Sequence, residues 1–225
     1  MARLPRIVIP GMPHLVTQRG NRKEKTFFDD GDYKVYRQLI AEAATRTGTE
    51  VWAYCLMPNH VHMILTPSNQ DGLRGTLAEA HRRYTTRINQ RNGWTGHLWQ
   101  GRFGAVLMDE EHLIDAVRYV SLNPVRAKLV EQPEHWPWSS VSAHLRRRDD
   151  GLVTVKPVLD RVPDFTSLLE QELQEEAAVA LRRAETIGRP LGSASFFDDL
   201  KARLGFDVRP QRRGRKPKSQ LGATG

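Results

Sequence analysis

His60 and His62 are separated by a single residue in the run His60-Val61-His62-Met63-Ile64-Leu65-Thr66. Its β-branched and apolar composition predicts a strand. Alternation along a strand puts both imidazoles on one face, roughly 7 Å apart at the backbone. Val61, Met63 and Leu65 then face the other way, into an apolar layer. Two imidazoles so placed can converge on one divalent ion. A bare pair of this kind reads more readily as two hydrogen-bonded strand histidines, so support has to come from elsewhere.

That support is Tyr119 with Asn123. Four residues apart, they share one face of a helix. A carboxamide oxygen is a neutral, hard ligand suited to Mg²⁺ or Mn²⁺. Two histidines and one asparagine would leave positions open for substrate oxygens, as a catalytic metal requires. A closed structural zinc site takes four ligands and usually more cysteine. The same residues also fit a core tyrosine and a helix C-cap ahead of Pro124.

The elements that must position these residues follow from periodicity and punctuation. Residues 14–19 alternate as a strand that Gly20-Asn21 ends. Asp29-Asp30 opens a helix that buries Tyr36, Leu39, Ile40, Ala43 and Ala44, and Gly48 closes it. Residues 51–57 form a second strand, and Pro58-Asn59 turns it into the His60 strand as a hairpin. Residues 73–89 read as a basic amphipathic helix. Residues 98–107 read as a fourth strand, loosened by Gly101 and Gly104. Asp109-Glu110-Glu111 caps a helix running through Tyr119, with Pro124 near its end or starting a new turn. This order predicts an α+β fold: a ferredoxin-like antiparallel sheet with helices on one face.

Residues 1–145 make one domain on this reading. Residues 146–208 form a helical extension, with a charged helix over 164–186 and a short one over 196–204. Residues 209–225 are a basic tail, expected to be disordered unless it meets DNA. The formal net charge of +8 over 225 residues points to a polyanionic partner. No apolar run is long enough for a membrane span, and no signal peptide is expected. The lone cysteine, Cys55, fits a reducing cytosol.

The stretches Val16-Thr17-Gln18-Arg19-Gly20-Asn21, Leu56-Met57-Pro58-Asn59-His60-Val61-His62 and Tyr119-Val120-Ser121-Leu122-Asn123-Pro124-Val125-Arg126-Ala127 resemble the REP-associated tyrosine transposases. These are single-tyrosine members of the His-hydrophobe-His superfamily of single-strand endonucleases, related to small insertion-sequence transposases. The resemblance covers roughly residues 4–140. Gly188-Arg189-Pro190 and Gly214-Arg215-Lys216-Pro217 look like the basic extension of some members.

The resemblance implies that Tyr119 attacks a DNA phosphodiester, giving a 5′-phosphotyrosine and releasing a 3′-hydroxyl. His60, His62 and Asn123 would hold Mg²⁺ or Mn²⁺. The substrate would be single-stranded DNA with hairpin or palindromic repeats. Candidate DNA-contacting residues are Arg19, Asn21, Arg82, Arg83, Arg87, Trp99, Arg102, Arg126, Arg213, Arg215 and Lys216. Trp94, Phe103, Trp136 and Trp138 are further candidate base platforms. A non-catalytic repeat-DNA binder would dispense with Tyr119. A zinc-type hydrolase would use water and form no covalent adduct. A rolling-circle initiator often carries a helicase or a second nearby tyrosine, and no helicase segment is present. A monomer is favoured over a homodimer, in the cytoplasm and associated with the nucleoid.

The tail carries Arg209, Arg212, Arg213, Arg215, Lys216 and Lys218 without an acidic residue. Its removal is expected to weaken DNA binding at low salt and to flatten the plot of log affinity against log salt. An unchanged affinity and slope would rule out a DNA role for the tail.

Overall fold

The computed structural model describes residues 6–171 and 174–209. Arg213, Arg215 and Lys216 therefore lie outside the described residues. In chain order the first elements are β1 (His14–Arg19), α1 (Asp30–Thr47), β2 (Thr49–Met57), β3 (His60–Pro67), α2 (Gly72–Asn92), β4 (Gly104–Leu107) and α3 (Glu110–Arg126). Caps set the helix ends as the sequence suggests. The Asp29 carboxylate accepts from the Asp32 amide at 3.0 Å and the Asp109 carboxylate from the His112 amide at 3.1 Å. Gly48 ends α1 in the left-handed conformation, at φ 64°.

The four strands form one antiparallel sheet in the order β2-β3-β1-β4. This is the ferredoxin-like arrangement, with β1 and β3 at the centre. Directly paired residues share a face. His62 therefore stands between Thr17 of β1 and Cys55 of β2, and His60 between Arg19 and Met57. On the opposite face Met63 pairs with Tyr54, whose ring lies 5.5 Å from the Arg37 guanidinium of α1. There α1 packs on α2, through Tyr36 Oη and His81 Nε2 at 2.9 Å and the Thr47 and Thr76 hydroxyls at 2.7 Å.

The expectation of helices on one face holds for α1 and α2, whereas α3 lies over the imidazole face. The reason is its apolar stripe. Leu113, Ala116, Val117 and Val120 are all buried, and only the free face of the sheet remains to cover them. The fourth strand is shorter than residues 98–107. Gly101 turns the chain at φ 62°, and Trp99 makes only an isolated bridge to Gly20. Helix α3 continues through Pro124 to Arg126, and the Ala127 amide donates to the Asn123 carbonyl at 2.9 Å. Asn123 is thus an interior helical residue rather than a cap.

Helix α4 (Val141–Leu145) closes the first 145 residues, and the extension comprises α5 (Lys156–Arg161), α6 (Phe165–Glu170), α7 (Glu175–Ile187) and α8 (Ala194–Leu204). The single helix expected over 164–186 is two helices, α6 and α7. Val158, Phe165, Leu168, Ala178 and Leu181 join the same hydrophobic cluster as the sheet residues. Both sheet edges are covered. Leu191 donates to Leu107 at 2.9 Å beyond β4, and Leu56 donates to Trp138 at 2.8 Å beyond β2. Val208 is fully buried in a smaller cluster with Ile7, Leu107 and Leu200. A truncation of the tail therefore has to keep Val208. Among the described residues no helix is long and apolar enough to cross a membrane.

Gly20, between β1 and the short turn Asn21–Lys23, is required by close approach. A Cβ there would lie 2.4 Å from the Glu24 carbonyl oxygen and 2.7 Å from the Thr26 methyl. Gly20→Ala is expected to cost ~1–3 kcal/mol of stability, read as a lower urea midpoint with an unchanged slope. A midpoint equal to wild type would show that the turn relaxes freely.

Candidate active site

The hydrogen bonds around the two histidines fix which nitrogen of each ring carries its proton. Asn59, in the β2–β3 turn, donates its amide NH₂ to the Lys23 carbonyl at 2.9 Å. That orients its Oδ1 toward His60 Nδ1, 2.6 Å away. Because Oδ1 only accepts, His60 Nδ1 must donate. Around His62 the logic repeats with other groups. The Thr17 hydroxyl spends its proton on Glu185 Oε1 at 2.6 Å. Thr17 Oγ1 and Glu185 Oε1, each 3.2 Å from His62 Nδ1, can then only accept from it. Both rings carry a proton on Nδ1.

Each ring is left with Nε2. His62 Nε2 is buried without a hydrogen-bond partner, and a buried polar atom in that condition calls for an explanation. A divalent ion supplies one, since metal-bound histidines ordinarily donate their other ring nitrogen to a carboxylate, carbonyl or water. The two ring centroids are 4.8 Å apart. Burial first, then His62 and Arg19, push the His60 pKa down to about 2. That keeps the ring neutral at physiological pH, the form that ligates metals. Among the described residues, no three His, Cys, Asp or Glu side chains gather closely enough to hold an ion. The Asn123 carboxamide belongs to a different class of donor.

Helix α3 brings Tyr119 to this pair. Its ring centroid is 5.4 Å from that of His62, and the side chain is almost fully buried. Asn123, also buried, follows one turn further along. Burial raises the Tyr119 pKa and Glu185 adds to the effect. Arg126, Arg182 and Arg19 oppose them, and the balance leaves the phenol pushed up to about 12. The Arg126 guanidinium lies over the ring at 5.4 Å. Burial also raises the Glu185 carboxyl, but His62, Thr17 and Arg19 outweigh it, so Glu185 stays below the usual carboxylate range. The Arg126 guanidinium beside a protonated phenol is suited to receiving a phosphate, and the charges of Arg182 and Arg19 also act on it.

Of the predicted site residues, Arg19, His60, His62 and Tyr119 share the imidazole face, with Arg126 over the Tyr119 ring. Asn123 lies one helical turn beyond Tyr119 on α3. Asn21 lines a cleft with Arg22, Lys25, Asn89 and Trp94, and Arg82 lines another with His81 and Thr85. Arg83 is paired with Glu42 at 2.7 Å, and Arg87 lies on the outer side of α2 beside Val35 and Leu39. Arg102 borders a cleft with Arg6, Phe103 and Glu185. Trp99 is a core residue: it is buried among Phe27, Tyr36 and Tyr84, and its ring stacks on His81 at 4.6 Å. A base platform needs an open ring face. Trp94, 50% exposed and edge-on to exposed Phe28, has one.

Thr17, Asn59, Arg182 and Glu185 were not anticipated as site residues. Both of the first two lie inside the recognised motifs, Asn59 beside His60 and Thr17 two residues before Arg19. Arg182 and Glu185 lie on α7 and carry no local signal.

Comparison with known proteins identifies the family and the fold. A family model described as IS200-like transposase matches residues 10–123. The chain belongs to the IS200-like transposase family, enzymes that act on DNA. It is 28% identical over 116 residues to a Haemophilus influenzae protein named as a candidate REP-associated tyrosine transposase. That alignment covers 47% of this chain and 66% of the relative, slightly under two thirds of its length. It is 26% identical over 136 residues to the REP-associated tyrosine transposase of Escherichia coli, covering 60% of this chain and 78% of that one. A solved structure of a REP-associated tyrosine transposase bound to a REP hairpin superposes with a TM-score of 0.54. At 23% identity, over 69% of this chain and 90% of the other, it establishes the shared fold.

The two tryptophans give a direct check on placement. Trp99→Ala is expected to cost ~3–5 kcal/mol, and Trp94→Ala less than ~0.5 kcal/mol. Both are read from urea denaturation. Equal costs at the two positions would contradict the burial described.

Proposed function

We propose that this protein cuts and rejoins single-stranded DNA that folds into hairpins or palindromic repeats, through a covalent 5′-phosphotyrosine on Tyr119. One observation carries the reading: the Tyr119 ring lies 5.4 Å from that of His62, whose Nε2 is buried and unpartnered. His60 Nε2, His62 Nε2 and the Asn123 carboxamide are the groups that would hold Mg²⁺ or Mn²⁺. When bound, such an ion would withdraw charge from the scissile phosphate and stabilise the leaving oxyanion.

Tyr119 Oη attacks phosphorus; the Oη–P bond forms and the P–O3′ bond breaks. The phenol loses one proton and the departing 3′-oxygen gains one, so the step is proton-neutral. A different 3′-hydroxyl can reverse it and join new ends without ATP, because the phosphotyrosine keeps the bond energy. Arg19, Arg126 and Arg182 pair with the phosphate oxygens and orient them. Trp94 and Phe28 offer exposed rings to unpaired bases, beside the cleft lined by Asn21, Arg22 and Lys25. Covered sheet edges favour a monomer, and a DNA partner favours association with the nucleoid.

The test is incubation with labelled hairpin DNA and Mn²⁺ or Mg²⁺, followed by denaturing electrophoresis. Wild type is expected to give a protein–DNA adduct, and Tyr119→Phe none. Because burial holds the phenol protonated at neutral pH, the single-turnover rate should rise as pH is raised from neutral. Cleavage by Tyr119→Phe at the wild-type rate, without an adduct, would favour a water-using hydrolase instead.

A further inference from the structure

Glu185 enters the imidazole face from α7, outside the region that the family model matches. Its placement is set by packing. Ala178, Leu181 and Ala184 hold the inner side of α7 against the core. Gly104 of β4 lies against this turn of the helix: a Cβ there would be in van der Waals contact with the Glu185 carbonyl oxygen at 3.4 Å. The acids of the first turn, Glu175 and Glu176, are exposed, whereas the Glu185 side chain is only 15% exposed. Burying a carboxylate is costly unless it is paired and hydrogen-bonded. Glu185 has both partners it needs: the Thr17 hydroxyl at 2.6 Å and His62 Nδ1 at 3.2 Å.

The contact also has a direction. A carboxylate accepts but cannot donate, and Thr17 has already given it the hydroxyl proton. The arrangement that satisfies all three groups puts a proton on His62 Nδ1, and in the neutral ring that leaves the lone pair on Nε2. We propose that Glu185 is a positioning residue: it holds His62 in the Nδ1–H form and aims Nε2 across the face shared with His60 and Tyr119, so that the C-terminal extension completes the metal-binding site. This rests on reading His60 and His62 as metal ligands. Carboxylates in this outer position fix the ring and raise the basicity of the ligating nitrogen. Removing one typically costs 10–100-fold in metal affinity.

Two readouts on the full-length chain test it without DNA. The first is metal-free: ¹⁵N NMR of histidine-labelled protein reports which His62 nitrogen is protonated. The Nδ1–H form is expected in wild type and in Glu185→Gln, whose amide oxygen can still accept. A mixture of tautomers is expected in Glu185→Ala. The second is Mn²⁺ affinity by calorimetry or electron paramagnetic resonance. Glu185→Ala should weaken it about 10–100-fold, and Glu185→Gln less, at thermal stabilities that show both variants folded. A wild-type tautomer and affinity in Glu185→Ala would overturn the proposal. Tighter Mn²⁺ binding would also overturn it, by showing that the carboxylate obstructs the site. If wild type and His62→Ala bind Mn²⁺ equally, the metal reading fails instead. The tautomer measurement then still decides whether Glu185 holds His62.

Discussion

The imidazoles of His60 and His62 can act together only while each ring is held with Nδ1 as donor. An unrestrained imidazole exchanges tautomers and turns about its side-chain bonds, so two strand histidines do not by themselves converge on anything. Here each Nδ1 meets groups that can only accept: the Asn59 amide oxygen for one, and Glu185 with Thr17 for the other. The anchors come from three places in the chain. The β2–β3 turn supplies Asn59, the neighbouring central strand supplies Thr17, and α7 supplies Glu185. Much of the architecture follows from delivering these acceptors. The hairpin has to be tight, β1 has to pair in register with β3, and the extension has to pack back onto the sheet.

Tyr119 is restrained in a complementary way. Burial and the Glu185 charge favour the neutral phenol, and three guanidiniums favour the phenolate. Burial wins, so the phenol rests protonated. The guanidiniums still matter, because their charge is available to an incoming phosphodiester. Arg126 and Arg182 both also face Glu175 at the start of α7. Such ion pairs between partly exposed groups are weak and exchange readily, so binding a phosphate there does not require breaking a strong contact.

What the sequence reveals and what it hides divide along a physical line. His60 with His62, and Tyr119 with Asn123, are legible because strand and helix periods alone put each pair on one face. The capping residues Asp29 and Asp109 and the terminator Gly48 are legible for the same local reason. The fourth strand is not: residues 98–107 have strand composition, but the left-handed turn at Gly101 and the pull of the aromatic core on Trp99 shorten it to Gly104–Leu107. Trp99 is hidden by its type, since a tryptophan reads alike in a core and on a surface. Glu185 is hidden by distance. Its partners Thr17 and His62 are 168 and 123 positions away, and nothing in an amphipathic charged helix marks one glutamate as the buried one.

The extension joins two properties that look independent. Leu191 hydrogen-bonds to Leu107 and Asp109 at the end of β4, which blocks that end of the edge against pairing with a second copy of the sheet. Leu191 lies only three residues past Gly188, where α7 ends. Capping the edge therefore also fixes the C-terminal end of α7, and with it the depth to which Glu185 reaches toward His62. A chain whose last segment let go of β4 would expose a pairing edge and loosen the hold on His62 at the same time. Closing the sheet and aligning the site are, in this protein, consequences of one packing arrangement.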